Sequence, residues 1–134
     1  MLSRFCARYL RSILWLDAFT CLGFGLACLV FAAPISALTD VPARWLVGGG
    51  AICLLAAMLI VFAVTRREIS PPLVMTISAI NLIWALASFL CVALGWIEPN
   101  MIGKIAVIGQ GIIVLAVADA QYLGAKARAR LVLA

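Results

Sequence analysis

The chain contains no histidine and only five acidic residues among 134. Without imidazole it lacks the commonest metal ligand and general base, and bis-histidine haem ligation is excluded. Charge of either sign is scarce: 11% of residues are charged against 67% hydrophobic, and mean hydropathy is +1.24. A soluble domain balances its apolar and charged fractions, so lipid is the expected solvent. The five cysteines, Cys6, Cys21, Cys28, Cys53 and Cys91, form no C-x-x-C pair. Four of them fall in apolar runs, where cysteine behaves as a small hydrophobe, so neither a disulfide framework nor a thiol redox centre is expected. Also missing are a nucleophile beside a base, a metal-ligand cluster and a phosphate-binding loop after a strand. Gly48-Gly49-Gly50 lies inside an apolar run, where its expected role is packing. No enzymatic activity, cofactor or metal is expected.

What is present is four apolar runs, each near the roughly 20 residues that cross a hydrocarbon core as a helix. They fall at about 12–33, 43–64, 72–95 and 102–123. Proline and polar residues separate them: Pro34 with Thr39-Asp40-Val41-Pro42, then Arg66-Arg67-Glu68 before Pro71-Pro72, then Glu98-Pro99-Asn100. The pattern predicts an all-α fold, a single up-down-up-down bundle of four transmembrane helices over 1–134. Lys and Arg near span ends are retained in the cytoplasm. Arg4, Arg8, Arg11, Arg66, Arg67, Lys126, Arg128 and Arg130 fall on one side, against Arg44 and Lys104 on the other. Both termini are therefore expected in the cytoplasm, and the net charge of +5 is read as orientation rather than affinity for nucleic acid. Trp45 and Trp96 at the outer ends, with Tyr9, Trp15 and Tyr122 at the inner ends, form the interfacial belts such rings prefer. Trp84, well inside the third span, is the exception.

The basic start and first apolar run have the ingredients of a signal peptide, but Phe31 and Ile35 occupy positions where cleavage needs small residues. The run is read as a retained helix. An Arg-rich, acid-free start also suits a mitochondrial presequence; the bacterial inner membrane is the preferred location. At an offset of 61 residues, Val47 to Leu54 lies over Ile108 to Leu115 and the first span over the third. Two parallel two-helix repeats would produce this, although Gly, Ala, Leu and Ile match readily by chance.

Polar residues at membrane depth are candidate sites or interhelical hydrogen bonders. Five stand out: Asp17, Asn81, Gln110, Asp119 and Gln121. Val74, Ser78, Asn81, Ala85, Ser88 and Val92 share one face of the third helix, and Gly103, Ala106, Gln110, Val117 and Gln121 share one face of the fourth. With Asn81 and Gln110 taken as close in depth, a hydrogen bond between them is expected; such bonds hold helices together at about 0.6 to 2 kcal/mol each. Asp17 lies toward the N-terminal end of its helix, where the macrodipole favours an anion, and Asp119 toward a C-terminal end, where it does not. Asp119 therefore needs a partner, with Lys126, Arg66, Arg67 and Arg11 as candidates, either in an interfacial ion pair or at a proton or ion site. Gly49, Cys53 and Ala57, and likewise Ala116, Ala120 and Gly124, repeat small residues at the spacing that lets helices approach within the chain or between copies.

Leu16-Asp17-Ala18, the Gly-rich second span, Asn81-Leu82-Ile83-Trp84, Gly109-Gln110-Gly111 and Ala120-Gln121-Tyr122-Leu123-Gly124 together carry a resemblance. The chain resembles small four-helix integral membrane proteins of proteobacteria to which no activity is assigned. The resemblance spans nearly the full length and implies an inner-membrane protein. Two functions are compatible with these features. One is a noncatalytic accessory or scaffold subunit that packs on itself or on a larger membrane complex; the other is a small permease or ion-coupled transporter. The first expects polar residues turned toward other helices, and the second a wet cavity reaching one of them.

Overall fold

The computed structural model describes residues 2–133, and the side chains of residues 4–130. Within them the chain forms helices α1 (Leu2–Val30), α2 (Ala32–Thr39), α3 (Ala43–Thr65), α4 (Pro71–Ala93) and α5 (Met101–Leu133). Four of these, all but α2, are long and apolar enough to cross a membrane. The fold is the expected four-helix bundle. Both α1 and α5 run beyond the apolar stretches at the end where the chain termini lie, because the Arg-, Ala- and Leu-rich flanks contain nothing that stops a helix. That end is called the basic end below.

The expected break at Pro34 is not there. The chain bends at Phe31, and Pro34 sits in the first turn of the short helix α2, where a missing N–H removes no helical hydrogen bond. The turn to α3 comes at Asp40, whose φ of 56° places it in the left-handed region while its N–H is donated to the Ser36 carbonyl at 2.9 Å. Asn100 then ties this corner to α5. Its backbone and side-chain N–H groups are donated to the carbonyls of Thr39 (3.1 Å) and Leu38 (2.9 Å), and its Oδ1 accepts the Gly103 N–H at 3.0 Å as the cap of α5.

Around the bundle, α1 packs against α3 and α5, and α5 packs against α4, whereas α3 and α4 touch little. Gly25 of α1 and Gly50 of α3 mark a close crossing, since a Cβ on either would stand 2.9 Å from the other's carbonyl oxygen. One contact recurs in both hairpins at the 61-residue offset. Gly50 faces Cys28 of α1, and the residues 61 positions on, Gly111 of α5 and Phe89 of α4, face each other in the same way. The main apolar core lies toward the basic end, where Leu10, Leu14, Ile60, Val64 and Val74 are fully buried. There Arg11 closes the C-terminal end of α3: its guanidinium donates to the carbonyls of Val64 (3.0 Å), Arg66 (3.1 Å) and Arg67 (3.3 Å). A planar fork at carbonyls the helix cannot satisfy suits both the hydrogen bonds and the dipole.

Candidate functional site

Three of the five intramembrane polar residues meet in one place. Asp17 of α1, Asn81 of α4 and Gln121 of α5 are 3%, 4% and 0% exposed. The Asn81 Nδ2 group donates to Asp17 Oδ2 at 2.7 Å and to Gln121 Oε1 at 3.1 Å, and Gln121 Nε2 donates to Asp17 Oδ2 at 2.6 Å. Each side chain thus bonds to the other two, and the ring ties three helices together. Cys21, one turn along α1, directs its thiol at Asp17 Oδ1 (3.6 Å), so all these donors to the carboxyl group are neutral. One turn below Asn81, the Ser78 hydroxyl donates to the Ala118 carbonyl at 2.7 Å. Among the described residues no buried side-chain nitrogen or oxygen lacks a partner, as a low-dielectric interior requires.

The α4 face behind this ring is the expected one: Val74, Ser78, Asn81 and Ala85 are all buried. The α5 face is the expected one only in part: Gly103 and Gln121 are buried, Gln110 and Val117 half-buried, and Ala106 exposed. Gly111, Ala118, Gly124 and Ala125 are buried as well. Of these, Gly111, Ala118 and Ala125 step by seven, the repeat of helices wrapped around one another.

The expected Asn81 to Gln110 hydrogen bond does not form. Gln110 Oε1 accepts the Trp84 indole N–H at 3.0 Å, and its Nε2 donates to Ser88 Oγ at 2.8 Å and to the Val107 carbonyl at 3.1 Å. The cause is register. Gly111 stands against Phe89 and Ala118 against Ser78, so Asn81 and Gln110 are separated by about two turns, roughly 10 Å along the bundle. Trp84, noted in the sequence only as a misplaced aromatic, is what Gln110 serves, since a half-buried indole N–H needs an acceptor. The same ring leans on Gly49 of α3, 3.1 Å from where a Cβ would be, and closes the thin α3–α4 side.

Asp119 stands apart from both clusters. It is exposed, at the edge of a groove of about 380 Å³ between Met75, Ala79 and Leu82 of α4 and Leu115, Ala118 and Tyr122 of α5. Of the four cations expected to reach it, Arg67 lines the open basin at the basic end, and the other three are engaged elsewhere. Arg11 caps α3, Arg66 lies over the Phe62 ring at 4.4 Å, and Lys126 lies over Tyr122 at 5.4 Å. Beside Ser78 and Ala79, Asp119 lies about 12 Å along the bundle from the level of Pro71, within the apolar part of the helices.

Neither this groove nor the open basin at the basic end has Asp17, Asn81 or Gln121 in its walls. Among the described residues no three His, Cys, Asp or Glu side chains converge as a metal site would need. The geometry offers a closed polar lock between helices and one carboxylate on the membrane-facing surface. Compared with protein families, curated proteins and solved structures, the chain gives no match.

Proposed function

We propose that this chain is a noncatalytic accessory subunit, seated in the bacterial inner membrane with both termini in the cytoplasm, that docks a transmembrane helix of a larger complex. The observation that carries the reading is Asp119: a carboxylate on an exposed helix face, at membrane depth, beside an apolar groove. An acidic group on a lipid-facing helix is costly, by up to about 2.5 to 3.5 kcal/mol at the helix centre on insertion scales; Asp119, one turn inside Tyr122, bears part of that cost, and covering it with a complementary donor offsets it. The occupant is a helix that carries Lys or Arg at the depth of Asp119 and small or flat side chains that fit the groove. A second copy fits less well, because a two-fold axis along α5 would set Asp119 against Asp119.

The alternative, a small permease, would need a wet cavity reaching one of the intramembrane polar residues, of which Asp17 is the carboxyl group buried in the bundle core. The closed ring around Asp17 favours a lock over a pathway, because each polar partner is already committed to another helix. Photo-crosslinkers placed in native membranes separate the readings. A crosslinker at Leu115 in the groove should capture one defined membrane protein in stoichiometric yield, and one at Leu55, exposed on α3, should not. Asp119→Leu should abolish the adduct. Equal capture from both positions would sink the docking reading, as would ion-coupled flux in reconstituted vesicles that Asp17→Asn abolishes.

A further inference from the structure

Six of the eight basic residues at the basic end converge on a single open basin of about 1410 Å³. Arg4 and Arg8 come from α1, Arg67 from the α3–α4 loop, and Lys126, Arg128 and Arg130 from α5; among the described residues Glu68 is the one acidic residue in the wall. Retention of a loop in the cytoplasm needs cations near the span ends, but does not need them to face one another. Arg11 and Arg66 lie outside the basin wall, on the α3 carbonyls and over the Phe62 ring; within it, Arg8 lies over the Tyr9 ring, Lys126 over Tyr122, and Arg128 donates its Nε–H to the Ala7 carbonyl at 3.3 Å, which fixes these side chains in the wall. The N-terminal end of α4 also borders the basin through Ser70 and Pro71, adding the positive end of a 23-residue helix. Pro71 and Pro72 have no N–H to offer, so that contribution is a field and not a set of donors. Exposed Tyr9 and Tyr122, on α1 and α5 near these cations, place the basin at headgroup depth.

We propose that this basin binds the headgroup of an anionic phospholipid carrying two phosphates, of the diphosphatidylglycerol type. Cations crowded in this way repel one another until an anion enters, and Arg presents a fork that matches phosphate oxygens two at a time. The volume exceeds the roughly 300 to 1,000 Å³ of pockets for small molecules. Six cations against one carboxylate leave more positive charge than a single phosphate neutralises. Basic recesses between membrane helices hold such headgroups by this chemistry. Neither Asp119 nor its groove takes part, so the site stands or falls independently of the docked helix.

The test uses the full chain in mild detergent and in nanodiscs, with lipid retention read by native mass spectrometry and thermal stability read in parallel. Wild-type protein should retain diphosphatidylglycerol in preference to phosphatidylglycerol, and both over phosphatidylcholine, with retention falling as salt is raised. Each cation near an anionic surface contributes roughly a fivefold factor, so Arg67→Gln, Lys126→Gln and Arg130→Gln together should weaken retention on the order of a hundredfold. Arg44→Gln with Lys104→Gln, outside the basin, should leave it unchanged. If the triple variant does not fold, Arg67→Gln alone, in the loop, should still show about a fivefold loss. Equal retention by variant and wild type would overturn the proposal, as would equal retention of phosphatidylcholine. Displacement by millimolar glycerol phosphate as readily as by lipid would overturn the lipid source and assign the basin to a soluble phosphate compound.

Discussion

Gln121 is the fully buried corner of the polar ring, and its removal is the sharpest test of what the ring does. Gln121→Leu deprives Asp17 Oδ2 of one donor and Asn81 Nδ2 of one acceptor. A buried polar group left short costs about 1 to 3 kcal/mol, more than the average of about 0.6 kcal/mol for a hydrogen bond between membrane helices. Reversible unfolding in mixed micelles should show that larger loss, and a double-mutant cycle between positions 81 and 121 should give a coupling of about 0.5 to 3 kcal/mol. Additive effects in the cycle would mean that the two carboxamides act separately. Arg11→Lys should also destabilise, by about 1 kcal/mol or more, because an ammonium cannot span the three carbonyls that the guanidinium reaches; an unfolding midpoint equal to that of the unaltered chain would contradict this. Each polar residue of the ring was visible in the sequence as a costly group needing a partner. Which partner it takes was not visible, because that depends on the register of α4 against α5, and a shift of two turns separates Asn81 from Gln110.

Glycines of α5 decide how this helix meets its neighbours, and two of them make opposite predictions. A Cβ on Gly103 would run into the Thr39 carbonyl and stand 2.6 Å from Pro99 Cβ, both held in place by the Asn100 cap. Gly103→Ala should therefore cost about 1 to 3 kcal/mol, as overpacking does. Nothing lies within 4 Å of a Cβ on Gly109, so Gly109→Ala should be neutral or stabilising by up to about 1 kcal/mol through helix propensity. Midpoints of unfolding for the two variants, compared side by side, check both; equal effects would refute the packing account of the α2–α5 corner. The contrast has no counterpart in sequence, where both glycines sit in the same apolar run. Helix α2 shows a similar limit from the other direction. Pro34 stops a helix in mid-course but starts one well, and the kink at Phe31 that converts one case to the other is set by tertiary packing.

Across the whole molecule, hydropathy and proline placement made four spans legible, because length and polarity alone determine whether a helix suits a bilayer. The order of the helices around the bundle was not legible. Close pairing of α1 with α3 and of α4 with α5 depends on small-residue contacts such as Gly50 with Cys28 and Gly111 with Phe89. Orientation rests on the distribution of charge, and the fold sharpens its test. Both termini and the α3–α4 loop lie at one end, where eight Lys and Arg are found, while the α2–α3 and α4–α5 corners carry only Arg44 and Lys104. A fluorescent protein that matures only in the cytoplasm should be bright when fused to either terminus, and an exported phosphatase inserted after Asp40 should be active but inactive after Arg67. Replacing Arg66 and Arg67 with Gln should leave this pattern intact, since six basic residues still hold the end. Replacing Arg4, Arg8 and Arg11 as well should bring the two ends close to balance and produce a mixed population, because orientation follows the summed bias of short flanks. A phosphatase active after Arg67 in the unaltered chain would overturn the assigned orientation and place the basic basin on the outer leaflet.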